Sequence, residues 1–147
     1  MRFLTQFSFV AVCAVAIIAA TSQAARAQVS IDGGYFDTGG TGAVGAAVSL
    51  QLFKTPVIPL TVEATAAAPF DGRGFAATAD ARFRLGGTTL GGGVGAGDIG
   101  QSTLGQSRFL YDGIIAQSLA PHLAVEGRVY VGTNRPTSVF AGLRLTL

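Results

Sequence analysis

Strict alternation of apolar and polar residues most constrains what this chain can fold into, and the stretch Phe75–Leu85 shows it most clearly. Asp80, Arg82 and Arg84 occupy even positions there, while apolar residues occupy the odd positions. Successive side chains of a β-strand point to opposite faces, whereas a helix would scatter the three charges around its circumference. The stretch is therefore predicted to be a strand with one apolar face and one charged face.

Seven further segments repeat this period-two pattern between turn residues. The eight predicted strands are 29–37, 41–53, 60–68, 75–85, 88–97, 107–119, 123–131 and 138–147. Gly86 and Gly87 form a two-residue hairpin signal, and the prolines of segment 54–59 end the second strand. The sixth strand alternates least clearly, and a β-bulge near Gly113 would explain its broken pattern. The expected fold class is all-β, with eight antiparallel strands in up-and-down order.

The first 27 residues are expected to be a cleaved signal peptide helix. Arg2 supplies a positive charge, and the apolar run Phe9–Ala20 is short for a helix that spans a bilayer. Ala25 and Ala27 provide the small residues that precede a cleavage site. Residues 28–147 would then form a single domain.

Removal of that segment leaves a composition with little net charge. The whole chain has ten basic and eight acidic residues, and loss of Arg2 and Arg26 balances them, which argues against a nucleic-acid partner. Cys13, the single cysteine, would leave as well, so neither a disulfide nor a thiolate metal site is expected. It follows Val12 rather than a small residue, which argues against a lipoprotein.

Alternation alone does not say which face points outward. A soluble barrel of the lipocalin kind places its aliphatic face inside, whereas a membrane barrel turns that face to lipid. The polar face here is mostly Gly, Ala, Ser and Thr with isolated charges, which suits a narrow lumen better than a solvated surface. Buried charges need partners, and hairpin pairing is expected to place Glu63 opposite Arg82 and Glu126 opposite Arg144. The side chains predicted to form lumen ion pairs are Glu63, Asp80, Arg82, Arg84, Glu126, Arg128 and Arg144.

Aromatic residues cluster near the ends of the predicted strands, where the two interfaces of a membrane barrel would lie. Two girdles are therefore predicted, although aromatic residues also favour strands in general. The residues expected in the girdle at the loop ends are Tyr35, Phe70, Phe75, Phe109, Tyr111, Tyr130 and Phe140. Phe53 and Phe83 are expected at the turn ends.

The last predicted strand carries a recognisable signature. The sequence stops on the strand itself, whose open edge would favour aggregation unless it were paired, as closure into a barrel would achieve. Gly142, Leu145 and Leu147 resemble the C-terminal strand signature of Gram-negative outer-membrane β-barrels, with Leu147 where that pattern has an aromatic residue. In strand number and lumen chemistry too, the chain resembles the small eight-stranded barrels of the OmpA and OmpX type.

This resemblance implies an outer-membrane protein whose partners are the lipid bilayer and the barrel assembly machinery, and which is a monomer. An even strand number would place both ends of the barrel chain, and the shorter turns, on the periplasmic side. Proteins of this type act as structural or surface-interaction proteins, and their filled interior does not imply a conducting pore. No nucleic acid, cofactor or metal is expected.

Two other functional classes remain open. Some barrels of this fold are lipid A deacylases or acyltransferases, which need a nucleophile beside a base on the outer side. The single histidine, His122, follows Pro121 in a turn expected on the periplasmic side, so no catalysis is expected. A secreted soluble β-sandwich or periplasmic binding barrel is the second class. The glycine pattern from Gly95 to Gly100 fits a dinucleotide fingerprint by spacing only, since no helix pattern follows it.

Overall fold

The computed structural model describes residues 28–38, 40–72, 74–99, 108–132 and 137–147. The predicted signal peptide, with Ala25 and Ala27, lies outside the described residues. No helix in the described part of the chain is long and apolar enough to cross a membrane.

Eight strands form one closed antiparallel barrel in which each strand pairs with its neighbours in sequence and the first pairs with the last. The strands are β1 (Val29–Thr38), β2 (Thr41–Lys54), β3 (Leu60–Pro69), β4 (Ala76–Leu85), β5 (Thr88–Gly97), β6 (Arg108–Ala120), β7 (Leu123–Gly132) and β8 (Ser138–Thr146). The predicted fold class and strand number are confirmed, and the strand boundaries agree to within a residue or so. Closure satisfies the backbone groups of every strand edge, which an open sheet of these apolar strands would leave exposed.

The predicted bulge near Gly113 is wrong. Gly113 pairs in regular register with Gly92 on one side and Val129 on the other. The alternation of β6 is broken because Leu110 and Ile114 are apolar yet point into the barrel, where both are buried. The register shifts instead near the turn end, between Ser118 and Ala120 in β6 and between Gln51 and Phe53 in β2.

The barrel turns its aliphatic face outward and its charged face inward. Arg82 and Arg144 are only 5% and 6% exposed. Exposed aliphatic side chains on the outer face include Ile31, Val44, Leu90, Val94, Ile115, Val125, Val129, Val131, Val139, Leu143 and Leu145. An arrangement of the lipocalin kind, with the aliphatic face inside, is therefore excluded.

Glycines permit the close approach of strands where the barrel closes. Gly142 of β8 lies directly opposite Gly34 of β1. A Cβ atom at Gly142 would lie 2.5 Å from the carbonyl oxygen of Gly33 and 2.9 Å from the Cα of Gly34. The glycine of the C-terminal signature therefore has a steric role at the seam between the first and last strands.

Candidate functional site

The inward side chains nearer the turn end form a charged network, and those nearer the loop end form an aromatic cluster. On β7, for example, Glu126 and Arg128 belong to the network and Tyr130, the next inward residue, belongs to the cluster. The charged network consists of Asp32, Glu63, Asp80, Arg82, Asp112, Glu126, Arg128 and Arg144. All eight side chains are buried.

Arg128 links four strands from the middle of the barrel. Its guanidinium donates to Glu126 Oε1 at 2.6 Å and, through Nη1, to Asp80 Oδ2 at 2.9 Å and to Asp112 Oδ2 at 3.2 Å. Its Nη2 donates to the hydroxyl of Thr65 at 3.3 Å. Because the Arg128 side chain is inaccessible to solvent, these contacts replace its hydration shell.

Glu126 is the carboxylate that all three arginines of the network share. Arg82 reaches it with two donors, Nη1 to Oε2 at 2.7 Å and Nη2 to Oε1 at 3.2 Å. Arg144 Nη1 donates to Glu126 Oε2 at 3.2 Å, in addition to the Arg128 contact. The bidentate pair between Arg82 and Glu126 fixes the relative positions of β4 and β7, which are not hydrogen-bonded neighbours.

The two predicted ion pairs form, but across a different register from the one expected. Glu63 lies opposite Asp80, and Glu126 lies opposite Gly142. Arg82 reaches Glu63 diagonally, with Nε 2.9 Å from Oε2, and Arg144 reaches Glu126 diagonally as well. Arginine is long enough to span the diagonal between residues two positions apart on paired strands. Arg144 Nη2 also donates to Glu63 Oε2 at 2.7 Å.

Arg84 does not join the charged network, and its prediction as a lumen ion pair is wrong. It follows Arg82 by two positions on β4 but lies at the turn end, where its side chain is exposed. Its Nε donates to the backbone carbonyl of Gly86 at 3.1 Å. Alternation indicates a face of a strand but not the depth along the barrel axis, so it does not separate Arg84 from Arg82.

Two members of the network, Asp32 and Asp112, were absent from the predicted set. Asp112 lies between Tyr111 and Gly113 on β6, and the assumed bulge concealed its inward direction. Unbroken alternation with the exposed Tyr111 and Ile115 would have identified it. Asp32 alternates with the exposed Ile31 in the same way and lies directly opposite Arg144.

Acidic side chains outnumber basic ones in the network, since five carboxyl groups accompany three guanidinium groups. Arg144 Nη1 lies 3.7 Å from Asp32 Oδ2, and neither Asp32 oxygen has a hydrogen-bond partner among the described residues. Asp80 Oδ1 and Asp112 Oδ1 likewise lack partners within the described part of the chain. Both point toward Gly93, where an added Cβ would lie 2.5 Å from each oxygen. The inward glycine therefore leaves room for two carboxylates.

The aromatic cluster consists of Phe36, Tyr130 and Phe140, all almost fully buried. The rings of Phe36 and Phe140 have centroids 4.7 Å apart, and those of Phe36 and Tyr130 lie 6.5 Å apart in a stacked arrangement. Ile99, which follows β5, is buried in the same apolar core. These side chains pack together inside the barrel near its loop end.

The prediction that Tyr130 and Phe140 belong to an outer girdle is therefore wrong. Both share the inward face with arginines of their own strands, Arg128 and Arg144, and this parity was the signal that could have placed them. The aromatic residues exposed on the outer surface at the loop ends are Tyr35, Phe70, Phe109 and Tyr111. Phe53 and Phe83 are exposed near the turn ends, and Phe75 is partly buried.

Ion pairs dominate the polar contacts of the interior that the structure describes. Within the part of the chain that the structure describes, no group of three or more His, Cys, Asp or Glu side chains is placed to hold a metal ion. His122, the single histidine, is exposed in the turn between β6 and β7. The buried hydroxyl of Ser49 lies 3.0 Å from that of Thr65. This arrangement can brace a barrel and obstruct its lumen.

Solved structures with a similar arrangement of strands include two bacterial surface barrels. The outer-membrane protein Ail of Yersinia pestis, studied in a phospholipid bilayer nanodisc, matches 83% of this chain and 100% of its own, with a TM-score of 0.56 and 16% identity. The fold is that of the small eight-stranded outer-membrane β-barrels. Neisserial surface protein A matches 82% of this chain and 94% of its own, with a TM-score of 0.52 and 14% identity. No family model and no curated protein matches the sequence.

Proposed function

We propose that this chain is a small outer-membrane protein with a structural or surface-interaction role, whose lumen is plugged by the charged network and which carries out no catalysis. The observation that carries the proposal is the orientation of the two faces. Among the described residues, large apolar side chains are exposed on seven of the eight strands, β3 presenting partly buried ones, and buried ion pairs occupy the turn-side half of the lumen. Such an apolar outer surface is stable in contact with lipid tails, whereas in water it would favour aggregation.

The solved structures support this location. Ail is described as an outer-membrane protein in a phospholipid bilayer, and the Neisserial protein is described as a surface protein. The present chain would be exported by its signal peptide and folded by the barrel assembly machinery, which would recognise Gly142, Leu145 and Leu147. We propose that it functions as a monomer, because its strand edges are all paired within one barrel.

The absence of catalysis is part of the proposal. A lipid A hydrolase or acyltransferase would need a base within reach of a nucleophile near the outer leaflet. His122 lies at the turn end of the barrel, opposite to the loop end. Lipid A mass spectra from cells with and without the protein test this point, and a change in the acyl chains would contradict it.

The membrane location is tested by cell fractionation and by gel mobility with and without boiling. A folded outer-membrane barrel is expected in the membrane fraction and at a different position on the gel before boiling. Recovery in the aqueous periplasmic fraction, with no detergent requirement, would instead support a soluble binding barrel.

A charged substitution sharpens the same test. Leu143 is 52% exposed on the outer face of β8. Leu143→Arg should destabilise a lipid-facing barrel by about 2–4 kcal/mol if the site lies near the bilayer centre. Thr137→Arg, at the exposed residue just before the loop end of β8, is the matched control and should have little effect. Equal tolerance of both substitutions in refolding into vesicles would argue that Leu143 faces water.

A further inference from the structure

The connection between β2 and β3 presents apolar side chains where a barrel turn usually presents polar ones. Its sequence from Lys54 to Pro59 is Lys-Thr-Pro-Val-Ile-Pro. Val57 is 90% exposed and Ile58 is 50% exposed. Surface apolar residues that occur singly are unremarkable, but Val57 and Ile58 are adjacent and lie a few residues after two more exposed apolar residues, Leu52 and Phe53.

The turn is held in a defined shape. Thr55 N donates to the carbonyl of Leu60 at 3.0 Å, and Leu60 N donates to that of Ile58 at 2.7 Å. The turn is also tied to β4, since Arg84 N donates to the carbonyl of Pro59 at 2.9 Å. Two prolines limit the backbone further. Exposure of Val57 and Ile58 therefore belongs to an ordered structure.

The register shift in β2 extends the apolar surface toward this turn. Leu52 and Phe53 are consecutive, yet each is 54% exposed, because the irregularity between Gln51 and Phe53 turns both outward. Phe83 and Leu85 are exposed at the turn end of β4, which is separated from β2 by β3. Apolar side chains are thus exposed at Leu52 and Phe53 near the end of β2 and again at Val57 and Ile58 of the turn, with Lys54 and Thr55 between them in the sequence.

Two positively charged side chains lie near this surface. Lys54 and Arg84 are exposed at its edge. Five of the eight acidic residues of the chain are buried in the charged network, and the other three, Asp37, Asp71 and Asp98, lie at the loop end. The turn end therefore exposes cationic side chains and no acidic one.

We propose that this turn is a membrane anchor: Val57 and Ile58 insert into the lipid leaflet at the turn end, and Lys54 and Arg84 pair with its anionic phospholipid headgroups. The inference rests on the proposed membrane location and assigns a lipid partner to one element of it. Apolar side chains at the headgroup boundary are stabilised by burial, and nearby cations by the negative surface potential of anionic lipid. The four exposed apolar side chains at and next to the turn, together with exposed side chains of positive charge only, favour lipid as the occupant.

Single tryptophan reporters test the anchor, because the chain contains no tryptophan. Val57→Trp places a reporter at the tip of the turn, and His122→Trp places one in the β6–β7 turn at the same end of the barrel. Leu143→Trp reports on the outer belt. Each full-length variant is folded into vesicles of phosphatidylcholine or of an equal mixture with phosphatidylglycerol, with folding verified by gel mobility. Emission wavelength and quenching by brominated lipid are then measured.

The anchor predicts a blue-shifted, lipid-quenched emission for Val57→Trp and a water-like emission for His122→Trp. A water-like Val57→Trp together with a quenched Leu143→Trp would overturn the anchor while leaving the membrane location intact, and would place the turn in the aqueous phase. Water-like emission from both would overturn the membrane location and the anchor together.

The charge contribution is measured in the same system. Phosphatidylglycerol should strengthen the blue shift of Val57→Trp, and Lys54→Gln combined with Arg84→Gln should abolish that added shift without changing the emission in phosphatidylcholine alone. A response to phosphatidylglycerol that survives both substitutions would overturn the role of the two cations.

Discussion

The charged network and the aromatic cluster fill two parts of one lumen to a similar degree of burial, but they depend on different physics. The network is stable only while each charge keeps its partners, because a buried charge without one costs several kcal/mol. The aromatic cluster has no such requirement and depends on filled volume and ring contact. Equal burial therefore does not imply equal sensitivity to substitution. Substitutions in the network should destabilise the barrel by leaving charges without partners, and those in the cluster by opening cavities.

Loss of Arg128 should have the largest effect. Arg128→Met keeps much of the side-chain volume but leaves Asp80, Asp112 and Glu126 without their shared donor. Breaking a buried pair from one side costs about 3–5 kcal/mol, measured by urea unfolding of the barrel in neutral detergent. Arg84→Met removes an exposed arginine from the turn end of the same barrel and should change stability little.

A rescue experiment identifies the cause of that loss. If unpaired negative charge is responsible, Asp80→Asn and Asp112→Asn should restore part of the stability of Arg128→Met, although neither restores a cation. Absence of any rescue, with stability equal to that of Arg128→Met alone, would mean that the lost hydrogen bonds of Arg128, rather than unpaired negative charge, cause the loss.

Truncation of Phe140 should have a slightly smaller effect, and for a different reason. Phe140→Ala opens a cavity beside Phe36, whose ring centroid lies 4.7 Å away. The expected cost is about 3 kcal/mol, at the lower end for a buried aromatic residue because Phe36 can shift into part of the space. Phe140→Leu should retain most of the stability, whereas Val139→Ala, on the outer face of the same strand, should cost little. A Phe140→Leu variant as unstable as Phe140→Ala would contradict the volume argument.

Alternation in the sequence was sufficient to predict the fold, because it indicates both the strand and its two faces. Small inward residues beside isolated charges indicated which face points inward, and the burial of Arg82 and Arg144 agrees with this. The same parity would have placed Tyr130 and Phe140 inside. Their positions near strand ends suggested an interface instead, since one-dimensional position does not distinguish an outer girdle from a lumen plug.

The pairing register of the strands and the depth of each side chain along the barrel axis were less predictable than the fold. The partner of Glu63 depends on how many residues the connection to β4 consumes, and the structure places Asp80 opposite it rather than Arg82. Ion pairs still form because the arginine side chain reaches diagonally. Depth along the axis depends on strand tilt and stagger, which a local pattern does not contain. Arg84 was therefore assigned to the network although it lies at the turn end.

Substitution at the barrel seam tests the steric closure of the first and last strands. Gly142→Ala places a Cβ 2.5 Å from the Gly33 carbonyl and 2.7 Å from the Phe140 ring. Two backbones must move apart, so we expect a loss of about 1–3 kcal/mol and slower folding into vesicles. Gly33→Ala is the matched control on the facing strand, because its Cβ would meet nothing within 4 Å. Similar stability of the two variants would exclude a steric role for Gly142 at the seam.

The smallest loss of stability should follow removal of a hydrogen bond between two neutral side chains beside the charged network. Ser49→Ala removes the 3.0 Å contact to the Thr65 hydroxyl, but Thr65 still donates to Asp80 at 2.6 Å and accepts from Arg128 at 3.3 Å. No charge loses its partner, so the expected loss is about 0.5–1.5 kcal/mol. Ser30→Ala, which removes a part-buried contact to Thr146 near the turn end, should cost less, because water can replace the bond. If Ser49→Ala were as destabilising as Arg128→Met in the same urea titration, the sensitivity of the network would lie in its hydrogen-bond geometry rather than in its charge pairing.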